Sequence, residues 1–257
     1  MKPPLLIVSL FALLLTGTTS LAQKRATRTP PGSKTAVAQR PREPGSTAVV
    51  IDVTLAVLRT APSLAADPIH RLSRGRTVQI LGQTDADGVK FYRVSIPPSQ
   101  TGWVQADAVF GKFRPADEER LARLVQATDG FDQIEIASEF FNLYTNSKFR
   151  PSILLLFGDL LEEVAAKITK DANSRLRRSE MAATGAPLHS YFLNYVSLDR
   201  YRKLGIVFQF NVGARAFHYN GDSWKEIVNK DSGSPEAVEA QRRLDTLKVK
   251  MAPPAAQ

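Results

Sequence analysis

The side chains that most often carry out chemistry in proteins are few in this sequence and lie far apart along it. The chain has no cysteine, and its three histidines are His70, His189 and His218. No histidine has a second one at ligand spacing, although Asp67 and Asp222 lie near two of them. One acid and one imidazole are too few donors for a zinc site, so we expect no metal. The missing cysteine also excludes a thiol nucleophile.

Carboxylates are the remaining candidates for catalysis. Asp117, Glu118 and Glu119 are consecutive, as are Glu162 and Glu163, and both groups have ordinary helix-surface spacing. Acids in a first helical turn complement the helix dipole. The chain also lacks the His-Glu-x-x-His, Gly-x-Ser-x-Gly and phosphate-loop motifs. We therefore expect a protein that is not an enzyme and has no cofactor. The alternative is a glycosidase whose two catalytic carboxylates lie far apart in the sequence, because no local motif marks such a pair.

The first 22 residues have the three parts of a secretory signal peptide. Lys2 gives a positive start, residues 5–15 are apolar except for one serine, and Ser20 and Ala22 are the small residues before the expected cleavage site. The apolar block is short for a bilayer span, which needs about 20 residues. We expect cleavage and a periplasmic or extracellular protein; the alternative is an uncleaved N-terminal anchor.

Residues 23–45 are predicted to be a disordered, basic, Pro-rich linker, because they contain almost no large apolar side chains. This segment holds much of the net charge of +9. Either it is a soluble spacer, or it makes peripheral contact with anionic envelope polymers or lipid headgroups. Since the charge excess lies on a tail and not on a folded face, we expect no nucleic-acid binding. Its charged residues are Lys24, Arg25, Arg28, Lys34, Arg40 and Arg42 against Glu43.

Residues 46–112 have the pattern of a small β-domain, with short apolar or alternating runs separated by turn residues. The tetrapeptide Asp85-Ala86-Asp87-Gly88 predicts a tight hairpin turn, since Asp-Gly tolerates positive φ. Its flanking segments, residues 77–82 and 90–96, are the predicted partner strands. Several strands at this spacing indicate a small barrel or sandwich.

Short motifs in this region resemble the bacterial SH3-like (SH3b) domain. The family's N-V-R-x-x-P-S opening corresponds to Val57-Leu58-Arg59-Thr60-Ala61-Pro62-Ser63, its L-x-x-G turn to Leu72-Ser73-Arg74-Gly75, and its ending to Gly102-Trp103-Val104. The chain departs from the pattern at Val57 and Leu58, and it has Phe91-Tyr92 in the middle strand where the family has tryptophan. The resemblance covers about a quarter of the chain. It implies an SH3-like β-barrel that binds a peptide or a protein.

The candidate ligand-binding residues are Trp103, Tyr92 and Arg59. The aromatic rings of Tyr92, Phe91 and Trp103 are suited to a peptide-binding groove. Strand alternation places Phe91 and Tyr92 on opposite faces, so at most one of them lines a groove beside Trp103. The structural alternatives are that Trp103 packs at the barrel edge with a wet indole N–H, and that Arg59 holds the opening strand by hydrogen bonds.

Residues 113–250 are predicted to form an all-α domain, and residues 251–257 a disordered tail. Helices are expected from Pro115, over residues 150–170, over residues 198–219 and from Ser234, with residues 173–187 as a loop or frayed end. Asp132 and Glu135 have the spacing of a capping box. Residues 219–244 are similar to a degenerate tetratricopeptide repeat, but a period of about 34 residues does not extend along the segment, so a non-repeating bundle is the alternative.

Together these patterns predict an α+β protein with an SH3-like β-barrel followed by a helical, possibly tetratricopeptide-like, domain. The expected function is that of an exported, non-catalytic binding or scaffold protein of the bacterial cell envelope. Its expected partner is a cell-wall peptide or an envelope protein. One alternative is an accessory or degenerate domain of a cell-wall hydrolase system, since SH3b modules often accompany such enzymes. The other is an assembly factor in which the β-module only docks helices.

Overall fold

A computed structural model describes residues 45–252, apart from the side chain of Arg178. The predicted signal peptide, nearly all of the linker, and residues 253–257 of the predicted tail lie outside the described residues. The first seven strands form one antiparallel sheet in the order β3-β2-β6-β5-β4-β1-β7, which curls into a half-barrel. These strands are β1 (Thr47–Val50), β2 (Val57–Arg59), β3 (Pro68–Arg71), β4 (Thr77–Ala86), β5 (Val89–Ile96), β6 (Gln100–Gln105) and β7 (Val109–Phe110).

Alternation along the strands builds the barrel core. Val78 and Ile80 on β4, Tyr92 and Val94 on β5, and Val104 on β6 are all fully buried on the inner face. The hairpin between β4 and β5 turns at Asp87 and Gly88, whose φ angles are 53° and 75°. Two successive positive φ angles are those of the tight hairpin turn that the Asp-Gly pair predicts.

The second half of the chain is built around one long helix, α3. Buried side chains of α3 join those of α2, α7 and α8 in a single hydrophobic core. No helix within residues 45–252 combines the length and the apolar character needed to cross a bilayer. The helices are α1 (Asp117–Ala127), α2 (Gly130–Leu143), α3 (Arg150–Arg175), α4 (Arg178–Thr184), α5 (Leu188–Leu193), α6 (Asp199–Arg202), α7 (Asp222–Lys230) and α8 (Pro235–Met251).

The prediction of an all-α second domain is wrong between residues 203 and 219. In place of a continuous helix over residues 198–219, the chain forms an antiparallel hairpin of β8 (Phe208–Asn211) and β9 (Ala216–Tyr219). The apolar residues here alternate with polar ones at period two, which suits a strand. Phe210 stacks on Phe192 with ring centroids 4.4 Å apart, so the hairpin closes the core that α5 covers.

Two other helical expectations need correction or remain unconfirmed. Residues 173–187 are mostly helical, since α3 continues to Arg175 and α4 follows it. Helices α7 and α8 pack against each other as expected, and the Ser234 hydroxyl caps α8 by accepting from the Ala237 N–H. A tetratricopeptide repeat is not confirmed, because it requires successive helix pairs and the element before α7 is a β-hairpin.

Arg74 joins the barrel to the helices, and it does so through the two residues predicted to form a capping box. Its guanidinium donates to Asp132 Oδ1 at 3.0 Å and to Glu135 Oε2, and its Nε donates to the Ile51 carbonyl at 3.1 Å. The Arg74 side chain is only 10% exposed. Ile51 itself is buried in the core of the helices, so both charge and apolar contacts hold the barrel against α2.

Candidate functional site

Strand register places Trp103 in the middle of a row of basic side chains. Trp103 on β6 pairs directly with Arg59 on β2 and with Arg93 on β5. Residues directly opposite each other on antiparallel strands project from the same face with Cβ atoms about 5 Å apart. Arg59 and Trp103 are partly exposed and Arg93 is exposed. This outward Arg59–Trp103–Arg93 row is the candidate ligand surface.

Tyr92 is not part of that surface. Its side chain is completely buried in the barrel core, where the guanidinium carbon of Arg114 lies 5.6 Å from the ring centroid. The prediction that Tyr92 lines a groove is therefore wrong, because its position on β5 faces inward. Phe91 has the opposite orientation, as alternation predicts, and shares the face of Trp103, but it is also fully buried.

Arg59 fixes the loop that begins at the end of β2. Its Nη1 donates to the Ala66 carbonyl at 2.7 Å. The same loop is held at the hairpin tip, where Asp87 Oδ2 accepts from the Ser63 hydroxyl and from the Leu64 N–H, both at 2.7 Å. These bonds lower the pKa of the exposed Asp87 carboxyl, the Ser63 bond contributing most. A loop fixed beside the row reduces the entropy lost when a ligand binds.

Arg93 is the charge in the row that is available to a ligand. None of the residues from 45 to 252 supplies a hydrogen-bond acceptor or carboxylate partner for its guanidinium. Beyond Arg93 the row continues to Gly82, and a bulge between Ile80 and Gly82 inserts Leu81, which is 43% exposed. The surface thus offers an indole, an exposed guanidinium and an apolar edge, which together suit an extended peptide carrying a carboxylate.

A second polar cluster, which the sequence did not suggest, joins α3, β9 and α8. Glu162 Oε1 accepts from Lys250 Nζ at 2.8 Å and lies 2.9 Å from His218 Nδ1, while Oε2 accepts from the Tyr219 N–H at 2.9 Å. These partners lie 56 to 88 residues from Glu162 along the chain, so no local motif marks them. Because the carboxylate contacts three donors already, we interpret the cluster as a structural brace.

The brace should make stability depend on pH. Burial alone would raise the pKa of Glu162, but the bonds from Lys250, His218 and the Tyr219 N–H outweigh it and hold that pKa below its usual value. A carboxyl whose pKa is lowered by folding stabilises the fold above its unfolded pKa, about 4.3, and this contribution is lost as the pH falls through the folded pKa.

Glu162→Gln should therefore lower the free energy of unfolding by about 1 kcal/mol at pH 7, with a difference from the parent that shrinks in acid. Urea denaturation across a pH series measures this. Glu163→Gln is the matched control, because the Glu163 side chain is 60% exposed and pairs with Lys167 on its own helix. A Glu162→Gln effect that stayed constant with pH would contradict the brace.

The described part of the chain contains no group of three or more histidine, aspartate or glutamate side chains placed to hold a metal ion.

No curated protein and no solved structure matches the chain. Residues 54–109, which include the whole Arg59–Trp103–Arg93 row, match the family model of the bacterial SH3 domain, a family whose members typically bind peptidoglycan or protein and are typically extracellular or periplasmic.

Proposed function

We propose that this chain is an exported, non-catalytic binding protein of the bacterial envelope, whose SH3 domain binds a cell-wall peptide. The observation that carries the proposal is the position of Trp103 between Arg59 and Arg93 on the outward face of a bacterial SH3 domain. In this interpretation the peptide lies across β2, β6 and β5. Its backbone or an apolar side chain packs on the indole, and a free carboxylate pairs with Arg93.

The contacts of the three residues support different roles for them. Arg59 already donates to the Ala66 carbonyl, so its role is to position the loop beside Trp103. Trp103 supplies a partly exposed aromatic face, the type of side chain that most often dominates binding energy at interfaces. Arg93, whose guanidinium is exposed, supplies the charge. A carboxylate-bearing wall peptide complements this set better than a neutral or basic one.

Export and the absence of catalysis rest on the sequence. The signal-peptide pattern of the first 22 residues supports secretion, and the scan for catalytic motifs supports a binding role. The helical region then serves as a scaffold attached to the SH3 domain through Arg74 and the buried Ile51. When the SH3 domain binds the wall, this attachment holds the helical region, and any protein that the helices bind, beside the wall.

Sedimentation with insoluble peptidoglycan tests the proposal. Mature protein should be retained, and Trp103→Ala and Arg93→Ala should each weaken retention about tenfold, because each removes a contact central to the surface. Arg123→Ala is the matched control for charge: its side chain is 68% exposed on α1, far from the row in sequence, and should leave retention unchanged. Circular dichroism checks that each variant is folded.

Three outcomes would contradict parts of the proposal. Full retention of a folded Trp103→Ala variant would remove the row as the binding surface. Release of soluble fragments from the peptidoglycan would contradict a non-catalytic role and favour a wall hydrolase. No retention, together with a crosslinked envelope protein that depends on Trp103, would replace the wall peptide by a protein partner.

A further inference from the structure

The helical region contains a cavity, with both polar and apolar lining, that is separate from the SH3 surface. Its volume is about 350 Å³, and it lies between the end of α3, helices α4 and α5, and the turn of the β8–β9 hairpin. Two polar residues, Asn173 and Arg215, complete its lining. The apolar side chains in the wall are Leu176, Met181, Ala182, Ala186, Leu188 and Phe192.

Arg215 is held at this cavity by an unusual backbone conformation. Its φ angle is 50°, in the left-handed region that non-glycine residues other than Asn and Asp rarely adopt. Asn173 on α3 stabilises this conformation by donating from Nδ2 to the Arg215 carbonyl at 3.0 Å. Backbone conformations of this kind persist where the surrounding structure imposes them, and they cluster at ligand sites.

Arg215 is half-buried as a residue, and within residues 45–252 its guanidinium has neither a carboxylate partner nor a hydrogen-bond acceptor. Two arginines at the end of α3 and just after it are paired with nearby carboxylates: Arg175 with Asp171, and Arg177 with Glu180. A half-buried arginine in the wall of a cavity that also has apolar side chains, and without a partner among residues 45–252, matches an anion attached to an apolar body.

We propose that this cavity binds a medium-chain fatty acid, with the carboxylate on Arg215 and the alkyl chain among the apolar side chains. A planar guanidinium binds a carboxylate through two parallel hydrogen bonds. Among the described side chains the cavity wall has one arginine, Arg215, beside which a phosphate dianion would leave one charge unpaired. A peptide would bring amide groups into a wall where both donors of the Asn173 amide are already used, by the Thr169 and Arg215 carbonyls. Met181 gives the wall an adaptable side chain.

Isothermal titration of mature, full-length protein with decanoate, below its micelle concentration, tests the site. Decanoate should bind at least about tenfold more tightly than its methyl ester, because only the carboxylate pairs with Arg215. Arg215→Gln should weaken decanoate about tenfold and bring it to the level of the ester, and Arg215→Lys should restore part of the loss. Arg177→Gln, at a neighbouring side chain that is 76% exposed, is the charge control and should change nothing.

A second variant tests the cavity without altering charge. Ala182→Phe places a ring in the cavity from the exposed helix α4, so it should abolish decanoate binding while circular dichroism stays unchanged. The proposal is overturned if the folded protein binds no alkanoate from hexanoate to hexadecanoate. It is also overturned if Arg215→Gln and Ala182→Phe bind decanoate like the parent, or if decyl phosphate binds more tightly than decanoate.

Discussion

Replacing Asp117 with alanine is expected to lower the free energy of unfolding by about 3–5 kcal/mol, the usual effect of removing one partner from a buried ion pair. Asp117 is 1% exposed, and its Oδ2 accepts from Arg114 Nε at 2.8 Å and from the Gly111 N–H at 2.9 Å. The variant leaves the guanidinium of Arg114, whose side chain is 16% exposed, without its carboxylate partner. The Gly111 N–H is left buried without an acceptor as well.

The ion pair of Arg114 and Asp117 also joins the end of the barrel to the first helix. Arg114 also donates to the carbonyls of Ala106 and Val109, which flank the last turn of the barrel. Urea denaturation measures the loss, with Glu119→Ala as the control, because Glu119 is 59% exposed and pairs with Arg123 on the surface of the same helix. The control should cost less than about 0.5 kcal/mol. Equal effects of the two substitutions would contradict the assigned role of Asp117.

Gly158→Ala is expected to destabilise the protein by about 3 kcal/mol, although alanine normally stabilises a helix interior by about 0.5–1 kcal/mol relative to glycine. Gly158 lies in α3 where α7 crosses it. A Cβ atom there would be 2.3 Å from Trp224 Nε1 and 2.6 Å from its Cε2. Trp224 is 2% exposed and packs edge-on against Tyr219, so moving its ring away from the new methyl group would disrupt this packing.

A double-mutant cycle identifies the cause of that loss. Trp224→Leu removes the indole atoms Nε1 and Cε2 that the new methyl group would meet, so Gly158→Ala should cost much less in the Trp224→Leu background than in the parent. Ser174→Ala, at an exposed position of the same helix, controls for helix propensity and should have little effect. Additive losses from Gly158→Ala and Trp224→Leu in thermal or urea unfolding would refute the proposed contact.

The sequence was sufficient to predict turns and helix caps that are formed by residues close together in the chain. The Asp87-Gly88 turn and the Ser234 cap of α8 follow from side chains a few positions apart. Asp132 and Glu135 show the limit of this reasoning. Their spacing predicts a capping box, yet both carboxylates bind Arg74, 58 and 61 residues away in the chain. A local motif cannot reveal a distant cation that competes for the same oxygens.

Only part of the candidate site was predictable, because local motifs include some of its residues and strand pairing places the others. Trp103 and Arg59 belong to motifs that resemble the SH3b family, so the sequence indicated both. Arg93 became a candidate only when the register of β5 and β6 placed it opposite Trp103, because pairing between strands is not encoded in either strand alone. Arg215 was missed because its signal is a backbone angle and a cavity, and neither is visible in residue types.

The two tryptophans allow the most direct test of the central claim, that Trp103 binds a wall peptide. The chain has Trp103, partly exposed on the SH3 face, and Trp224, buried in the helices. Each indole N–H gives a separate resonance in a nitrogen–proton spectrum. On titration with soluble peptidoglycan fragments, the Trp103 indole signal should shift to saturation, and the Trp224 signal should stay in place. An unmoved Trp103 signal at saturating fragment, with the protein folded, would contradict the account.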